Sequence, residues 1–281
     1  MSEKKEERKL QVVTRRGFIK SGGLAVGALA VGSGLALTGC TAQQPAAAPP
    51  PEPTPPPDAP AWPWPYEKLD PELARKIGHE GFYEARCCYG AFKAIVTQLN
   101  DKIGYPYNTI PLDMMRFGVT GVGWAGTCGA ILGAAAAINL VVEKFGDLTD
   151  ELQAWYIQYP FPSETSNKLA VEKAFKTDKG FGEIVSNASG SPLCHVSVTN
   201  WSKASGLKAN SPERSERCAR LTGDVAAFTV EMLNALHDGK FEKVHKAAAS
   251  VKACMECHGQ DGRDDTRGKD DCILCHGDPH A

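Results

Sequence analysis

The chain has 281 residues, ten cysteines, nineteen prolines and a formal net charge of −2. A near-neutral balance excludes a strongly basic nucleic-acid footprint, and 42% hydrophobic with 23% charged residues excludes a disordered or collagen-like chain. Ten cysteines are too few for a disulfide miniprotein and too many for an average cytosolic enzyme, so metal, cofactor or redox use is the starting expectation.

Residues 1–39 read as an address. Met1 to Lys20 is polar and basic, Ser21 to Leu37 is an uncharged Gly/Ala/Leu/Val run, and Leu37-Thr38-Gly39-Cys40 closes the segment. That is a signal-peptide layout, with a retained anchor helix as the alternative. Thr14-Arg15-Arg16-Gly17-Phe18 resembles a twin-arginine export signal, and the closing tetrapeptide resembles a lipobox, which makes Cys40 the lipidated first residue of the mature chain. Removing residues 1–39, with seven Lys/Arg and three Glu, takes the formal charge to −6. Eleven of the nineteen prolines fall between Pro45 and Pro65. Residues 40–65 are therefore expected to be a polyproline II spacer standing the body off a membrane, with Trp62 and Trp64 free to touch either lipid or the body.

The body, residues 66–240, reads as mainly α-helical. Asp70-Pro71-Glu72 starts a helix, along which Ala85, Cys88, Phe92, Ile95, Leu99 and Ile103 recur at helical spacing. Cys87 and Cys88 lie adjacent on it. Gly121 to Gly126 spells G-x-G-x-x-G, but Pro111 to Phe117 is a poor preceding strand. Close backbone approach to a cofactor or helix is therefore preferred over a dinucleotide site. Gly129 to Lys144 is apolar nearly all round, which predicts a buried central helix with Cys128 at its positive end. Shorter helices are expected over Thr149 to Gln158 and Ser166 to Lys176. Ser211-Pro212-Glu213 opens another long helix, with Cys218, Leu221, Val225, Phe228, Met232 and Leu236 on one stripe ending before Gly239. Cys87, Cys88, Cys128, Cys194 and Cys218 form one unassigned cysteine set.

Residues 241–281 carry the strongest signal. Cys254-Met255-Glu256-Cys257-His258 and Cys272-Ile273-Leu274-Cys275-His276 are two copies of C-x-x-C-H, the attachment sequence of haem c, whose paired thiols add to the two vinyl groups while the adjacent histidine ligates iron. The rival is a zinc ribbon, which needs the four thiols but neither histidine, and which gains nothing from export. His258 and His276 are the proximal ligands. His245, on an expected helix from Phe241 to Ala253, is the first candidate for a distal position, and His237, His79 and His195 compete for the other. His280 lies close to its own motif, and Met114, Met115 and Met232 remain in play. Histidine on both sides of each iron favours electron transfer over oxygen chemistry. Gly259 to Asp271 is expected to be a loop.

Cys87-Cys88-Tyr89-Gly90-Ala91-Phe92, Cys128-Gly129-Ala130-Ile131-Leu132-Gly133, Cys194 and Cys218 resemble the bacterial family named for its C, GCAxxG, C and C pattern. With the paired C-x-x-C-H tail, the chain resembles the split-Soret cytochromes c from about His79 onward. It departs in its C-G-A-x-x-G second block and its two adjacent first cysteines, which leaves open which of those two counts. The resemblance implies a homodimer with two haem c groups per subunit near the interface, and an iron-sulfur centre at the additional cysteines. Twin-arginine export carries folded proteins, whereas haem c is attached to unfolded chain outside. The two agree if a body holding a [2Fe-2S]-type cluster, on Cys128, Cys194, Cys218 and either Cys87 or Cys88, folds before export and the tail matures afterwards. The expected function is one-electron transfer with redox partner proteins, by a non-enzymatic protein lipid-tethered outside the cytoplasm. A haem-linked thiol or disulfide redox enzyme using the additional cysteines is the alternative.

Overall fold

The computed structural model describes residues 58, 60–262 and 265–277. The signal segment 1–39, Cys40, most of the spacer and His280 lie outside the described residues.

The body is mainly α-helical, as the periodicity predicts. Helix α1 (Pro71–Ile103) begins where Asp70 accepts hydrogen bonds from the backbone N–H groups of Glu72 and Leu73, which caps otherwise unpaired donors. Three short irregular turns follow, at Tyr107–Thr109, Leu112–Gly118 and Gly121–Ala125. Helix α2 (Gly129–Val141) is buried as expected but ends before the predicted Lys144, where Val142 turns extended. Helix α3 (Gly146–Gln158) leads into strand β1 (Pro160–Phe161) and helix α4 (Glu164–Val171). Strand β2 (Asn187–Ala188) pairs antiparallel with β1, Pro160 opposite Ala188. Helix α5 (Cys194–Ser205) precedes the long α6 (Pro212–His237), whose Ser211 accepts from the Arg214 amide.

α6 lies along α1 and α2 packs across both. The shared core includes Phe92, Ile95, Leu99, Ile138, Leu152, Tyr156 and Val230, all nearly or fully buried. Trp62 and Trp64 dock on this body: Trp62 Nε1 donates to the Asn139 carbonyl at 2.6 Å, and Trp64 meets Tyr107 edge-on at 5.4 Å.

The expected helix over Phe241 to Ala253 is corrected. Residues 241–248 are non-helical, and helix α7 runs Ala249–His258. The cause is Glu151 on α3, whose buried carboxylate takes the backbone N–H groups of Val244 and His245, both at 3.1 Å, and holds this stretch across the body. Helix α8 (Ile273–His276) is a single turn. The described residues of 259–271 form a loop, as expected. Among the described residues, no helix is long and apolar enough to cross a membrane.

Candidate redox centre

Four of the five body cysteines meet although they come from four places in the chain. α1 breaks at Ala85 and Arg86, the latter with a left-handed φ of 75°, so Cys87 opens the second half of the helix. Cys128 caps the start of α2, Cys194 is the first residue of α5, and Cys218 lies in α6. Together they line a cavity of about 600 Å³. Neighbouring residues on a helix project about 100° apart, and Cys88 accordingly faces away. It is fully buried against Gly118, where a Cβ would collide with its sulfur. Of the adjacent pair, Cys87 is the one that reaches the cavity.

The motif glycines make this convergence possible. A Cβ on Gly129 would sit 2.5 Å from Cys87 Sγ, and one on Gly133 would strike the Cys88 carbonyl, so α2 lies directly on the cysteine turn of α1. The G-x-G-x-x-G stretch follows no strand among the described residues and forms a wall of the cavity instead. Thr120, Val122 and Ala125 hold left-handed φ values of 53°, 60° and 54°, a strained state for a β-branched valine. The Gly126 carbonyl accepts the Cys194 amide at 2.7 Å, and the Pro192 carbonyl accepts that of Cys128 at 2.8 Å. Segments 126–128 and 192–194 thereby fix each other's cysteine.

The cavity is electropositive. Cys87, Cys128 and Cys194 all stand at helix starts, where unpaired N–H groups and the helix dipole favour negative charge. Arg86, Arg214, Arg217 and His195 are among the lining residues, which include neither Asp nor Glu. The Cys128 thiol is lowered to about 6. A hydrogen bond from Cys87 is the main cause, and it outweighs burial with help from Tyr156, the Ala130 amide and the charge of Arg217. Cys87, which donates to Cys128 and is itself buried, is pushed well above the usual thiol range. Burial first, and the neighbouring Cys128 second, push Cys194 up to about 12. The Tyr156 hydroxyl also lies 3.2 Å from Ser197 Oγ. Among the described residues, no three His, Cys, Asp or Glu side chains converge as ligands of one metal ion. The four thiols frame a volume, which suits a polynuclear cluster better than a single zinc.

The C-terminal motifs form a second site. Cys254, Cys257 and His258 share one face of α7 at i, i+3 and i+4. Cys272 caps α8, on which Cys275 and His276 lie. Cys257, His258, Cys275 and His276 are exposed, while the Cys254 and Cys272 thiols are hydrogen-bonded to each other, so the two motifs abut. Two thiols and an imidazole on an exposed helical turn are the donor set that covalent haem requires. Ser191 to Asp270 (2.7 Å) and Lys269 to Asp150 (2.7 Å) tie the segment to the body, and Ser250 to Asp271 (2.8 Å) closes it on itself.

Of the histidine candidates, His245 has the geometry of a ligand. Its Nδ1 donates to Glu151 Oε1 at 2.6 Å, which leaves Nε2 as the lone-pair nitrogen, the arrangement common to metal-bound imidazoles. It lines a second cavity of about 590 Å³ together with Lys243, Lys246 and Asp270. His237 ends α6 in solvent, 5.8 Å from the ring of Tyr66. His79 is fully buried, stacked on Phe175 at 3.9 Å and bonded to Glu216. His195 bonds the Ala125 carbonyl at 2.9 Å and belongs to the cysteine cavity. Met115 and Met232 are core residues, and Met114 is exposed.

Residues 89–232 match the family described as "Putative redox-active protein (C_GCAxxG_C_C)". That span takes in Cys128, Cys194 and Cys218 but starts just after Cys88. The chain is 34% identical over 265 residues to the split-Soret cytochrome c of Desulfovibrio desulfuricans, covering 91% of each. It belongs to the split-Soret cytochrome c family. A solved structure of the split-Soret cytochrome c from D. desulfuricans ATCC 27774, reported with a novel iron centre, superposes with a TM-score of 0.66 at 32% identity, over 76% of this chain and 90% of that one. As a split-Soret cytochrome c family member the chain is a redox, electron-transfer cytochrome. The residues that sequence reasoning passed over are Tyr156, Ser197, Arg217 and Glu151. Only Arg217, adjacent to Cys218, carried any local hint; the others act across the fold.

Proposed function

We propose that the chain is an exported, lipid-anchored electron-transfer protein that carries two haem c groups on its C-terminal segment and a [2Fe-2S]-type cluster on Cys87, Cys128, Cys194 and Cys218. The observation that carries the cluster is the meeting of these four thiols, from four separate places in the chain, in one cavity rich in arginine and without a carboxylate. When bound, these groups supply one-electron redox capacity with no substrate bond made or broken.

The protein's own residues do the rest. Cys254, Cys257, Cys272 and Cys275 would hold the haems covalently, with His258 and His276 as proximal ligands. Glu151 orients His245 for a distal position, and His237 is the weaker candidate because its ring is exposed and has only the Tyr66 ring beside it among the described residues. The hydrogen bond from Cys87, aided by Tyr156, the Ala130 amide and the charge of Arg217, favours Cys128 as thiolate. Export, the Cys40 anchor and a homodimer belong to the same proposal. The dimer is supported by the exposure of three large apolar side chains close together in the sequence, Phe117, Val122 and Trp124.

Iron, acid-labile sulfide and pyridine-haemochrome analysis of the purified chain tests the reading. Two haems with additional iron and sulfide are expected; haem iron without sulfide rejects the cluster. The Cys87–Cys128 contact favours one alternative, a thiol redox enzyme. That reading requires reversible oxidation of two thiols in sulfide-free protein.

A further inference from the structure

Three arginines are buried in the helical core, and they differ in one respect. Arg75 is paired with Asp224, and Arg220 donates to Glu216 at 2.7 Å. Arg217 is only 1% exposed, yet among the described residues it has no carboxylate partner. Its Nη1 donates to Ser197 Oγ at 3.0 Å, while Nε and Nη2 meet no hydrogen-bond acceptor. The nearest acidic side chain along the helix, Glu216, is already occupied by His79, Tyr83 and Arg220. A buried charge left with unpaired donors is costly, and proteins rarely retain one without an anion to meet it. Arg217 lines the cavity of Cys87, Cys128, Cys194 and Cys218, where the lining holds no Asp or Glu.

We propose that the Arg217 guanidinium is the built-in countercharge of the four-cysteine centre, its free Nε–H and Nη2–H groups donating to the sulfur atoms of the group held there and setting its potential. The inference rests on the cluster reading above. A four-thiolate iron-sulfur cluster is anionic when oxidised and gains one further negative charge with each electron. A fixed cation beside it therefore stabilises the reduced state more than the oxidised one. Arg217 is a positioning and tuning residue; the electron itself comes from and returns to the redox partner, or to dithionite in a titration, and no proton or bond change is required.

The test uses the full haem-loaded chain, with Arg217→Gln and Arg217→Lys beside the wild type. Acid-labile sulfide, helical content by circular dichroism, and EPR-monitored midpoints of cluster and haems are measured on each. In folded Arg217→Gln the reduction equilibrium of the cluster should fall on the order of tenfold, about 59 mV for a one-electron couple. The haem midpoints should move less, and Arg217→Lys should lie between. Loss of sulfide from folded Arg217→Gln, with retention in Arg217→Lys, also supports the assignment. A full complement of sulfide with an unmoved cluster midpoint in Arg217→Gln overturns it, as does a Lys variant shifted as far as the Gln variant. Absence of sulfide from the wild type rejects the cluster reading and this inference together, so the two failures are distinguishable.

Discussion

Replacing Glu151 tests how the C-terminal segment is coupled to the body. The carboxylate is 2% exposed and accepts three hydrogen bonds from two adjacent residues, the amides of Val244 and His245 at 3.1 Å and His245 Nδ1 at 2.6 Å. Two amide bonds at about 1 kcal/mol each and one charge-assisted bond at about 1.5–3 kcal/mol make the tether worth about 3.5–5 kcal/mol. Glu151→Ala removes all of it and should abolish hydrogen-exchange protection at residues 244 and 245. Glu151→Gln is the sharper change. Its oxygen can still accept the two amides, but its NH2 group must then face His245 Nδ1. That turns Nδ1 into an acceptor and moves the ring proton to Nε2, the nitrogen a distal ligand needs free. In haem-loaded protein, Glu151→Gln should convert one low-spin haem to high spin, or to a different low-spin species, in optical and EPR spectra while exchange protection is largely retained. Unchanged spectra and an unchanged haem midpoint in Glu151→Gln would refute the role of His245. Unchanged exchange in Glu151→Ala would refute the tether itself.

The adjacent cysteines should separate cleanly: Cys87→Ala is expected to lose acid-labile sulfide, whereas Cys88→Ala should keep it and cost about 1–2 kcal/mol in a denaturant melt for the small cavity left in the core. Gly133→Ala forces a methyl group into the Cys88 carbonyl, so a loss of more than about 2 kcal/mol is expected, and a neutral melt would show that α2 does not sit against this turn. Glu216 provides a pH dependence. Burial works to raise its pKa, but hydrogen bonds from His79, Tyr83 and Arg220 outweigh it and lower the carboxyl from 4.5 to about 2. Its contribution, at most about 3 kcal/mol, is therefore fully present above pH 4.5 and lost as pH falls towards 2. Comparing urea midpoints of wild type and Glu216→Gln at pH 6 and pH 3 measures it; a gap that does not narrow at low pH would contradict the assignment.

How much of this was legible in the sequence follows from where each chemistry is encoded. The two C-x-x-C-H motifs stand out in the sequence as candidate haem sites because covalent attachment demands two thiols and an imidazole within five consecutive residues. The caps at Asp70 and Ser211 were readable for the same local reason. The break before Cys87 was not, since Ala85 and Arg86 are good helix formers. Its counterpart in space is the crossing of Gly81 and Gly90, where a Cβ would lie 2.7 Å from the facing Cα. Helix α5 was missed because Cys194-His195-Val196-Ser197-Val198-Thr199 has poor helix propensity, and burial of Trp201 overrides it. The 241–248 stretch has helical spacing, but Glu151 diverts its amides, a partner some ninety residues away.

The contrast between the two centres bears on assembly. The cysteine cavity exists only once α1, α2, α5 and α6 have packed, because Cys87, Cys128 and Cys194 each owe their place to a helix start and Cys218 to the middle of another helix. Whatever occupies it must be inserted into, or with, a folding body. Beyond the Glu151 tether, the C-terminal segment depends on the body less: its C-x-x-C-H residues Cys257, His258, Cys275 and His276 are exposed, and ties there such as Lys269 to Asp150 are surface contacts, individually worth no more than about 1 kcal/mol. Such a tail can open while the core stays intact. This is the property required under the proposal of folded export followed by haem attachment outside, and it reconciles two signals that conflict when the sequence is read as a single folding unit.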